Sequence, residues 1–326
     1  MQAARIHRHG GADVITIDDV PTPEAGEAVI VDVAYAGANY VDVYQREGRY
    51  PGIQLPLTLG IEAAGRVRHA LSASRFRAGD RVAFAALAQG GYAEQIAVPD
   101  HALVRVPDSV PLQEAAAVLE QGLTAEVLIH DVARIAPGYE GWALVHAAGG
   151  GVGRWLVNGL VRQGIKVIAL ASTPAKRQQL TAWGAAAVSS LDDDWPAQAR
   201  HIAEGQGIRW VFDSVGKATF DGSLASLDTC GHLVLFGAAS GPVVPVDPAR
   251  LMARSATLSR PVLPHYLSNP ARLAQRAEGV FNMARCFPQL AEVGACFPLN
   301  AASEAHQALE SRDRQGKVLL SIGGEA

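Results

Sequence analysis

A glycine-rich segment near the middle of the chain carries the clearest chemical signal. Ala148, Gly150 and Gly153 have the spacing of a dinucleotide-binding turn, with alanine at the first of the three usual glycine positions. An apolar strand is predicted before the turn at 142–146, and a helix after it at 154–163. Backbone N–H groups and the positive end of a helix dipole converge at such a turn, which therefore suits a pyrophosphate.

Strands and helices alternate after the turn. Strands are predicted at 166–171, 186–188, 209–213 and 232–236. Helices are predicted at 174–183, 197–204 and 217–227. Alternation at this spacing is typical of a doubly wound parallel sheet, so the fold class is α/β. A glycine-rich turn alone is a weak signal, but in this context it predicts a dinucleotide site.

The end of the second strand indicates which dinucleotide binds. An NAD site places an acidic residue about 20 residues after the glycine turn, and none occurs between Lys166 and Lys176. Ser172 and Thr173 stand there instead, followed by Lys176 and Arg177. Hydroxyl groups and a cation at a helix N-terminus suit a 2′-phosphate, so we predict NADPH. NADH remains the alternative, because surface cations are often simply solvated.

Composition fits a globular protein and excludes several classes of function. The 326 residues are 49% apolar and 18% charged, which is enough chain for two domains. The net charge of −4 gives no footprint for nucleic acid. The longest run without charge, 229–246, is interrupted by glycine and proline, so we expect no membrane span. No secretory signal and no paired cysteine pattern is found among three cysteines, so we expect a cytoplasmic protein.

The two ends of the chain differ from its middle. Residues 1–118 are predicted to be all-β, with strands at 27–35, 65–69, 80–85 and 91–98. A helix is predicted at 112–119, and a further helix and strand at 302–311 and 317–322. Chain termini often lie close together, so we expect the tail to return to the first domain.

Nine segments form a family pattern that extends along the whole chain. They are 35–44, 59–65, 78–82, 121–125, 146–153, 212–216, 259–261, 310–312 and 316–320. In this order they resemble the zinc-free quinone oxidoreductase, or zeta-crystallin-like, branch of the medium-chain dehydrogenase/reductase superfamily. The resemblance implies a GroES-like β-barrel catalytic domain, residues 1–120 and 262–326. It also implies a Rossmann dinucleotide-binding domain, residues 121–261.

Departures from the superfamily bear on metal and cofactor. Its zinc alcohol dehydrogenases have a cysteine where this chain has Asn39 and a histidine where it has Ile61. The structural-zinc cysteine cluster is also missing, so we expect no zinc. Quinone reductases often cover the 2′-phosphate with a tyrosine, and Leu191 stands at that position before the acidic run 192–194. Those carboxylates oppose a bound phosphate, which keeps NADH open as the alternative.

The resemblance also assigns roles to individual residues. Asn39 and Tyr44 are expected to flank the nicotinamide, with Tyr44 the hydrogen-bond or proton donor to the acceptor oxygen. A tyrosine ordinarily titrates near pH 10, so it can donate at neutral pH. Single histidines such as His146 are assigned no role. The expected cofactor contacts are Asn39, Thr124, Gly150, Gly151, Val152, Ser172, Lys176, Ser214, Phe236, Gly237 and Arg312.

Three functions remain open. Without a metal to stabilise an alkoxide, the acceptor should itself spread the incoming negative charge, as quinones do. The leading prediction is an NADPH-dependent quinone oxidoreductase. A reductase of activated C=C bonds, in enones or 2-haloacrylate-type acids, is the alternative. A catalytically idle nucleotide-binding protein is the third. We also expect a homodimer paired through an exposed strand edge at 232–236, because unpaired edges invite pairing.

Overall fold

The computed structural model describes residues 1–24, 26, 28–136, 138–139, 141–190, 194–203, 207–311 and 314–324. Backbone contacts divide the chain into two units. The first unit joins the two ends of the chain, Met1–Leu123 and Leu267–Ala326, and the second is Thr124–Tyr266.

The N-terminal part of the first unit consists mainly of strands. They are β1 (Gln2–Ile6), β2 (Ile15–Asp19), β3 (Val29–Gly37), β4 (Leu57–Thr58), β5 (Glu62–His69), β6 (Arg81–Ala85), β7 (Gln95–Val98) and β8 (Val104–Arg105). The helices of this part are α1 (Tyr40–Arg46) and α2 (Leu112–Val127), of which α2 runs into the second unit. The prediction of an all-β segment is therefore wrong at 40–46, where α1 forms.

The second unit alternates strands with helices. Its strands are β9 (Trp142–Val145), β10 (Lys166–Ala171), β11 (Ala186–Ser189), β12 (Ile208–Asp213), β13 (Leu227–Leu235) and β14 (Thr257–Ser259). Its helices are α3 (Gly151–Arg162), α4 (Pro174–Ala182), α5 (Trp195–Ile202), α6 (Phe220–Ser226) and α7 (Ala249–Met252). The six strands pair in parallel in the order β11-β10-β9-β12-β13-β14. This is the doubly wound order of a Rossmann sheet, as predicted.

The C-terminal part of the chain completes the first unit. It contains α8 (Pro270–Cys286), β15 (Val293–Pro298), α9 (Ala302–Glu310) and β16 (Lys317–Ser321). Strand β16 pairs with β15 on one side and with β3 on the other, within the sheet β15-β16-β3-β5-β6-β8. Strand β7 also pairs with β3, and a second sheet has the order β2-β1-β4. The chain termini therefore share one unit, and the α/β class with a GroES-like barrel is confirmed.

One detail of the predicted sheet is wrong. Residues 232–236 are not an exposed edge, because β13 pairs with β14 and His232 lies opposite Thr257. In the described part of the second unit, the edge strand on this side of the sheet is β14, which has only three residues, and β11 forms the opposite edge. Among the described residues, no helix has both the length and the apolar character that crossing a membrane requires.

Candidate nucleotide-binding and catalytic site

The glycine turn is tightly packed in the second unit. Gly150 caps α3 in an extended conformation, and its N–H donates to the Ala147 carbonyl over 2.8 Å. A Cβ on Gly153 would lie 2.7 Å from the Cα of Ala148 and would collide with the Ala147 carbonyl oxygen. Only glycine at 153 therefore lets the helix start this close to β9, as a dinucleotide turn requires. The half-buried Gly151 and Val152 form the first turn of α3.

Lys176 lies beside this turn. A Cβ on Gly149 would come within 2.9 Å of the Lys176 Cδ and 3.0 Å of its Cβ and Cγ. Thr173 caps α4 by accepting the Lys176 N–H over 3.3 Å, and Pro174 occupies the first helical position. The structure thus brings the predicted 2′-phosphate residue against the predicted pyrophosphate turn.

Arg177 has a different role. Its guanidinium donates to the carbonyl oxygens of Ala171 and Ser172, over 3.1 Å and 3.0 Å. It therefore supports the end of β10 and keeps the half-buried Ser172 at the carboxyl edge of the sheet. The predicted 2′-phosphate site therefore takes its cation from Lys176 and its hydroxyl group from Ser172.

Two further predicted contacts meet at the ends of β12 and β13. The N–H of Ala239 donates to the Ser214 carbonyl over 3.1 Å. A Cβ on Gly237 would lie 2.9 Å from the Ser214 Cα and would collide with its carbonyl oxygen. Glycine at 237 therefore allows the segment after β13 to approach Ser214. Thr124 is half-buried within α2.

In the first unit, Asn39 belongs to a buried polar cluster with Glu62 and Lys317. The Asn39 Nδ2 donates to the Gly37 carbonyl over 3.2 Å and to Glu62 Oε2 over 3.0 Å. The Lys317 ammonium donates to Asn39 Oδ1 and to Glu62 Oε2, both over 2.7 Å. Glu62 Oε1 accepts the Glu120 N–H over 2.7 Å. Both amide hydrogens of Asn39 are thus used inside the protein.

Sequence reasoning missed Glu62 and Lys317 as site residues. Both lie in segments that carry the family resemblance, 59–65 and 316–320. The resemblance therefore pointed to these segments, but no role was assigned to either residue. Their pairing joins residues 255 positions apart and follows from β16 entering the sheet next to β3.

Tyr44 lies on α1, and Asn39 and Asp42 cap the N-terminus of this helix. The Asn39 N–H donates to Asp42 Oδ2 over 2.9 Å in a capping box, which fixes the start of this helix. The half-buried Tyr44 ring lies 6.1 Å from the Tyr40 ring, at an interplanar angle of 58°. The Arg49 guanidinium lies 4.7 Å above the Tyr44 ring. A cation and a neighbouring ring therefore restrain Tyr44.

Behind α1, a chain of buried hydrogen bonds continues from Asp42. The Tyr92 hydroxyl lies 3.2 Å from Asp42 Oδ2 and 3.4 Å from His306 Nε2. Arg46 Nη1 lies 3.1 Å from His306 Nδ1 and 2.7 Å from Glu310 Oε1. Burial raises the pKa of Asp42 to about 7, against hydrogen bonding from Asn39 and the charge of Lys317, which lower it. Burial and then the Arg46 guanidinium lower the pKa of His306 to about 3.

Some predictions lie outside the described residues. Arg312, Leu191, Asp192 and Asp193 are not described, so their roles stay predictions. Asp194 precedes α5. Within the described ranges, no group of three or more His, Cys, Asp or Glu side chains is placed to hold a metal ion.

Comparison with known protein families agrees with this architecture. Residues 25–108 match the alcohol dehydrogenase GroES-like domain, and residues 151–275 match the family described as zinc-binding dehydrogenase. A GroES-like barrel combined with a Rossmann unit defines the class of medium-chain dehydrogenases and reductases.

Individual relatives narrow the class. The quinone oxidoreductase of Pseudomonas aeruginosa is 34% identical over 318 residues, 96% of this chain and 97% of that protein. The 2-haloacrylate reductase of a Burkholderia species is 30% identical over 98% of both proteins. The solved structure of a mycobacterial protein complexed with NADPH is 37% identical with a TM-score of 0.91, over 98% of this chain and 100% of that one. The chain belongs to the quinone oxidoreductase branch of the medium-chain dehydrogenase/reductase superfamily.

Proposed function

We propose that the protein is an NADPH-dependent quinone oxidoreductase that transfers a hydride without zinc. The observation that carries this proposal is the Asn39–Glu62–Lys317 cluster. Asn39 stands where zinc dehydrogenases have a cysteine ligand, and its amide is engaged by Gly37, Glu62 and Lys317. Ile61, at the histidine position, has no donor atom. The donor set therefore suits a buried ion pair rather than a zinc ion.

The glycine turn supports binding of NADPH in the second unit. Glycine at 153 leaves the close helix start that a pyrophosphate needs, and the N–H groups of Gly151 and Val152 would face it. Lys176 and Ser172 would hold the 2′-phosphate, and Ser214 and Phe236 the nicotinamide side. When bound, NADPH supplies the hydride. A relative solved as an NADPH complex, at 37% identity, supports this choice of cofactor.

Tyr44 is the proposed donor to the acceptor oxygen. The hydride adds negative charge to the acceptor, and a hydroxyl positioned at the acceptor oxygen stabilises that charge by donating a hydrogen bond or a proton. The Arg49 guanidinium above the ring restrains the Tyr44 side chain. Thr124 and Arg312 are proposed as further cofactor contacts.

A reductase of activated C=C bonds is the second candidate function. A 2-haloacrylate reductase is 30% identical over 98% of the chain, so a relative of this chain carries the name of that activity. In that reaction the hydride would add to the β-carbon of the acceptor. Tyr44 of this chain would donate to the carbonyl or carboxyl oxygen of the developing enolate.

An acceptor panel tests the function. Loss of NADPH absorbance is followed with 1,4-benzoquinone, 9,10-phenanthrenequinone, several enones and 2-chloroacrylate, and products are identified by mass spectrometry. Rapid quinone turnover without a reduced C=C product supports the leading proposal. Turnover confined to enones or chloroacrylate moves the protein to the second function. Tight NADPH binding with no turnover on any acceptor contradicts both and supports an idle nucleotide-binding protein.

We also propose a homodimer paired through the edge strand β14. Val244 and Met252, in the same unit, are large apolar side chains that are 66% and 79% exposed. An edge strand in a unit that also exposes large apolar side chains suits pairing with a second copy. Light scattering should give a dimer for the wild type and a monomer for Met252→Glu, while Leu71→Glu on the first unit stays dimeric. A monomeric wild type at micromolar concentration contradicts the proposal.

A further inference from the structure

Two buried side chains mark the point where the doubly wound sheet changes direction. Strands β9 and β12 are neighbours at the centre of the sheet, and the strand order runs outward from them on both sides. Ligands of such sheets bind at this switch point, beyond the carboxyl ends of the strands. His146 directly follows β9, and Asp213 is the last residue of β12. Sequence reasoning assigned neither residue a role.

The Asp213 carboxylate holds the turn that contains Ser214. Asp213 is fully buried, and its Oδ1 accepts the N–H groups of Val215 and Gly216 over 2.8 Å and 3.0 Å. The Thr219 hydroxyl lies 2.7 Å from its Oδ2. The carboxylate therefore fixes the backbone on the far side of Ser214 and so the direction in which that serine points.

The Asp213 backbone holds the second predicted nicotinamide-side segment. Its carbonyl oxygen accepts the N–H of Phe236 over 2.9 Å and that of Gly237 over 3.3 Å. Asp213 thus holds both segments. Its side chain binds the turn that contains Ser214, and its main-chain carbonyl binds Phe236 and Gly237.

Ser223 and His146 stand behind the carboxylate. The Ser223 hydroxyl donates to Asp213 Oδ2 over 2.8 Å, and His146 Nε2 lies 2.8 Å from the same hydroxyl oxygen. Because the only serine proton points to Asp213, His146 must carry its hydrogen on Nε2 and donate it to Ser223. Burial lowers the pKa of His146, although the charge of Asp213 raises it, and a lowered pKa favours the neutral ring.

The same histidine reaches the glycine turn. His146 precedes Ala147, whose carbonyl accepts the Gly150 N–H over 2.8 Å. The backbone N–H of His146 donates to the Phe212 carbonyl over 3.0 Å. The His146 ring packs edge-on against the Trp195 ring, with 4.8 Å between the ring centroids. Hydrogen bonds therefore link the turn after Ser214 to His146 through Asp213 and Ser223, and the main chain continues from His146 into the glycine turn.

We infer that Asp213, Ser223 and His146 form a positioning network for the nicotinamide-ribose half of the bound cofactor. The network sets the Ser214 and Phe236–Gly237 segments relative to the pyrophosphate turn and touches no reacting atom. This inference rests on the proposed function, since its ligand is NADPH. The adenosine half would contact Ser172 and Lys176, which lie outside the network.

Ser223→Ala, with Ser226→Ala as the matched control, tests the inference. Both serines are buried on α6, and the Ser226 hydroxyl donates only to the Gly222 carbonyl one turn before it, over 2.7 Å. Calorimetry measures binding of NADPH and of its adenosine fragment 2′,5′-ADP. Hydrogen exchange of the unliganded protein reports on the amides of 214–216, and kinetics separate KM from kcat.

In Ser223→Ala we expect NADPH to bind about tenfold more weakly, because the charge-assisted hydrogen bond to Asp213 and the hydrogen bond from His146 are both lost. Binding of 2′,5′-ADP should change less than twofold, the KM for NADPH should rise with kcat nearly unchanged, and amides 214–216 should exchange faster. Ser226→Ala should show none of these changes. Equal weakening of NADPH and 2′,5′-ADP, or unchanged exchange at 214–216, would overturn the inference. A wild-type protein that binds neither nucleotide overturns the proposed function instead, before any variant is compared.

Discussion

The side chain of Lys176 lies directly against Gly149. A methyl group at position 149 would come within 2.9 Å of the Lys176 Cδ. The turn after β10 is therefore packed on the turn after β9, which places a cation beside the proposed pyrophosphate turn.

Lys176→Ala should raise the KM for NADPH about tenfold and leave the KM for NADH within twofold, because only NADPH has a 2′-phosphate to pair with the ammonium. Steady-state kinetics with both cofactors measure the change. Lys166→Ala is the control, since Lys166 begins β10 at the opposite end of that strand. Equal effects of the two variants would contradict the assignment.

Two glycines should respond to alanine in opposite directions. Gly153→Ala places a methyl group against the Ala147 carbonyl and Ala148, so we expect it to lower the free energy of unfolding by about 2 kcal/mol and to weaken NADPH binding. Gly279→Ala lies within α8 with no atom within 4 Å of the new methyl group. It should stabilise the protein by about 0.5–1 kcal/mol. Urea unfolding measures both, and a destabilising Gly279→Ala would be against the prediction.

Removal of one partner of the Glu62–Lys317 ion pair should strongly lower the stability of the protein. Lys317→Met leaves the fully buried Glu62 carboxylate without its cation, so we expect a loss of about 3–5 kcal/mol of stability. Adding Glu62→Gln should recover most of that loss, because glutamine keeps an oxygen for Asn39 or Glu120 and carries no charge. Thermal unfolding of the single and double variants tests this, and a double variant no more stable than Lys317→Met would refute it.

Tyr44→Phe should lower kcat about tenfold with a quinone while NADPH affinity changes less than twofold, since only the proposed donor hydroxyl is removed. Tyr40→Phe is the matched control, because Tyr40 lies one turn earlier on α1 with its ring 6.1 Å from that of Tyr44. Stopped-flow measurement of NADPH oxidation separates the chemical step from release. An equal loss in both variants would assign the effect to the helix rather than to the hydroxyl.

Asp42 and His306 should compensate each other in the pH dependence of stability. The pKa of Asp42 rises from 3.8 to about 7 on folding, so its contribution is present below pH 3.8 and is lost as the pH rises toward 7. The pKa of His306 falls from 6.5 to about 3, so its contribution is present above pH 6.5 and is lost as the pH falls toward 3. In the window between, folded and unfolded chains each hold one proton on this pair, and the two slopes cancel.

Single variants should reveal the two slopes. Asp42→Asn leaves His306, so the free energy of unfolding should rise with pH across the weakly acidic range. His306→Gln leaves Asp42, so it should fall with pH across the same range. Each slope should approach about 1.4 kcal/mol per pH unit. Urea titrations at several pH values measure them, and slopes of the same sign in both variants would be inconsistent with the assignment.

The Rossmann unit was predictable because its signals are local. Continuous apolar strands, the glycine turn and the Thr173–Pro174 helix start each specify a structure within a few residues. Helix α1 was missed because Tyr40, Val41, Val43 and Tyr44 favour strands, while the capping box of Asn39 and Asp42 starts a helix. Strand β14 was missed because three residues carry no periodic pattern, and its absence made β13 look like an edge.

The candidate site was predictable only in part, for a related reason. The cofactor turn is encoded by neighbouring residues. The partners of Asn39 lie 23 and 278 positions away, and no spacing rule connects them. Asp213, Ser223 and His146 meet only because β9 and β12 are adjacent in the sheet. Pairing of distant buried polar groups is a property of the folded topology rather than of any segment.

Strand β16, the last strand among the described residues, lies between β15 and β3 and carries the only described cation bonded to Glu62. During synthesis the nucleotide-binding unit is therefore complete while the barrel still lacks an inner strand. At about 5–20 residues per second, the ribosome exposes the growing barrel for on the order of tens of seconds before Lys317 reaches Glu62. Over that interval the nascent chain should depend on chaperones, and stop codons that remove β16 should yield aggregates rather than a shortened enzyme.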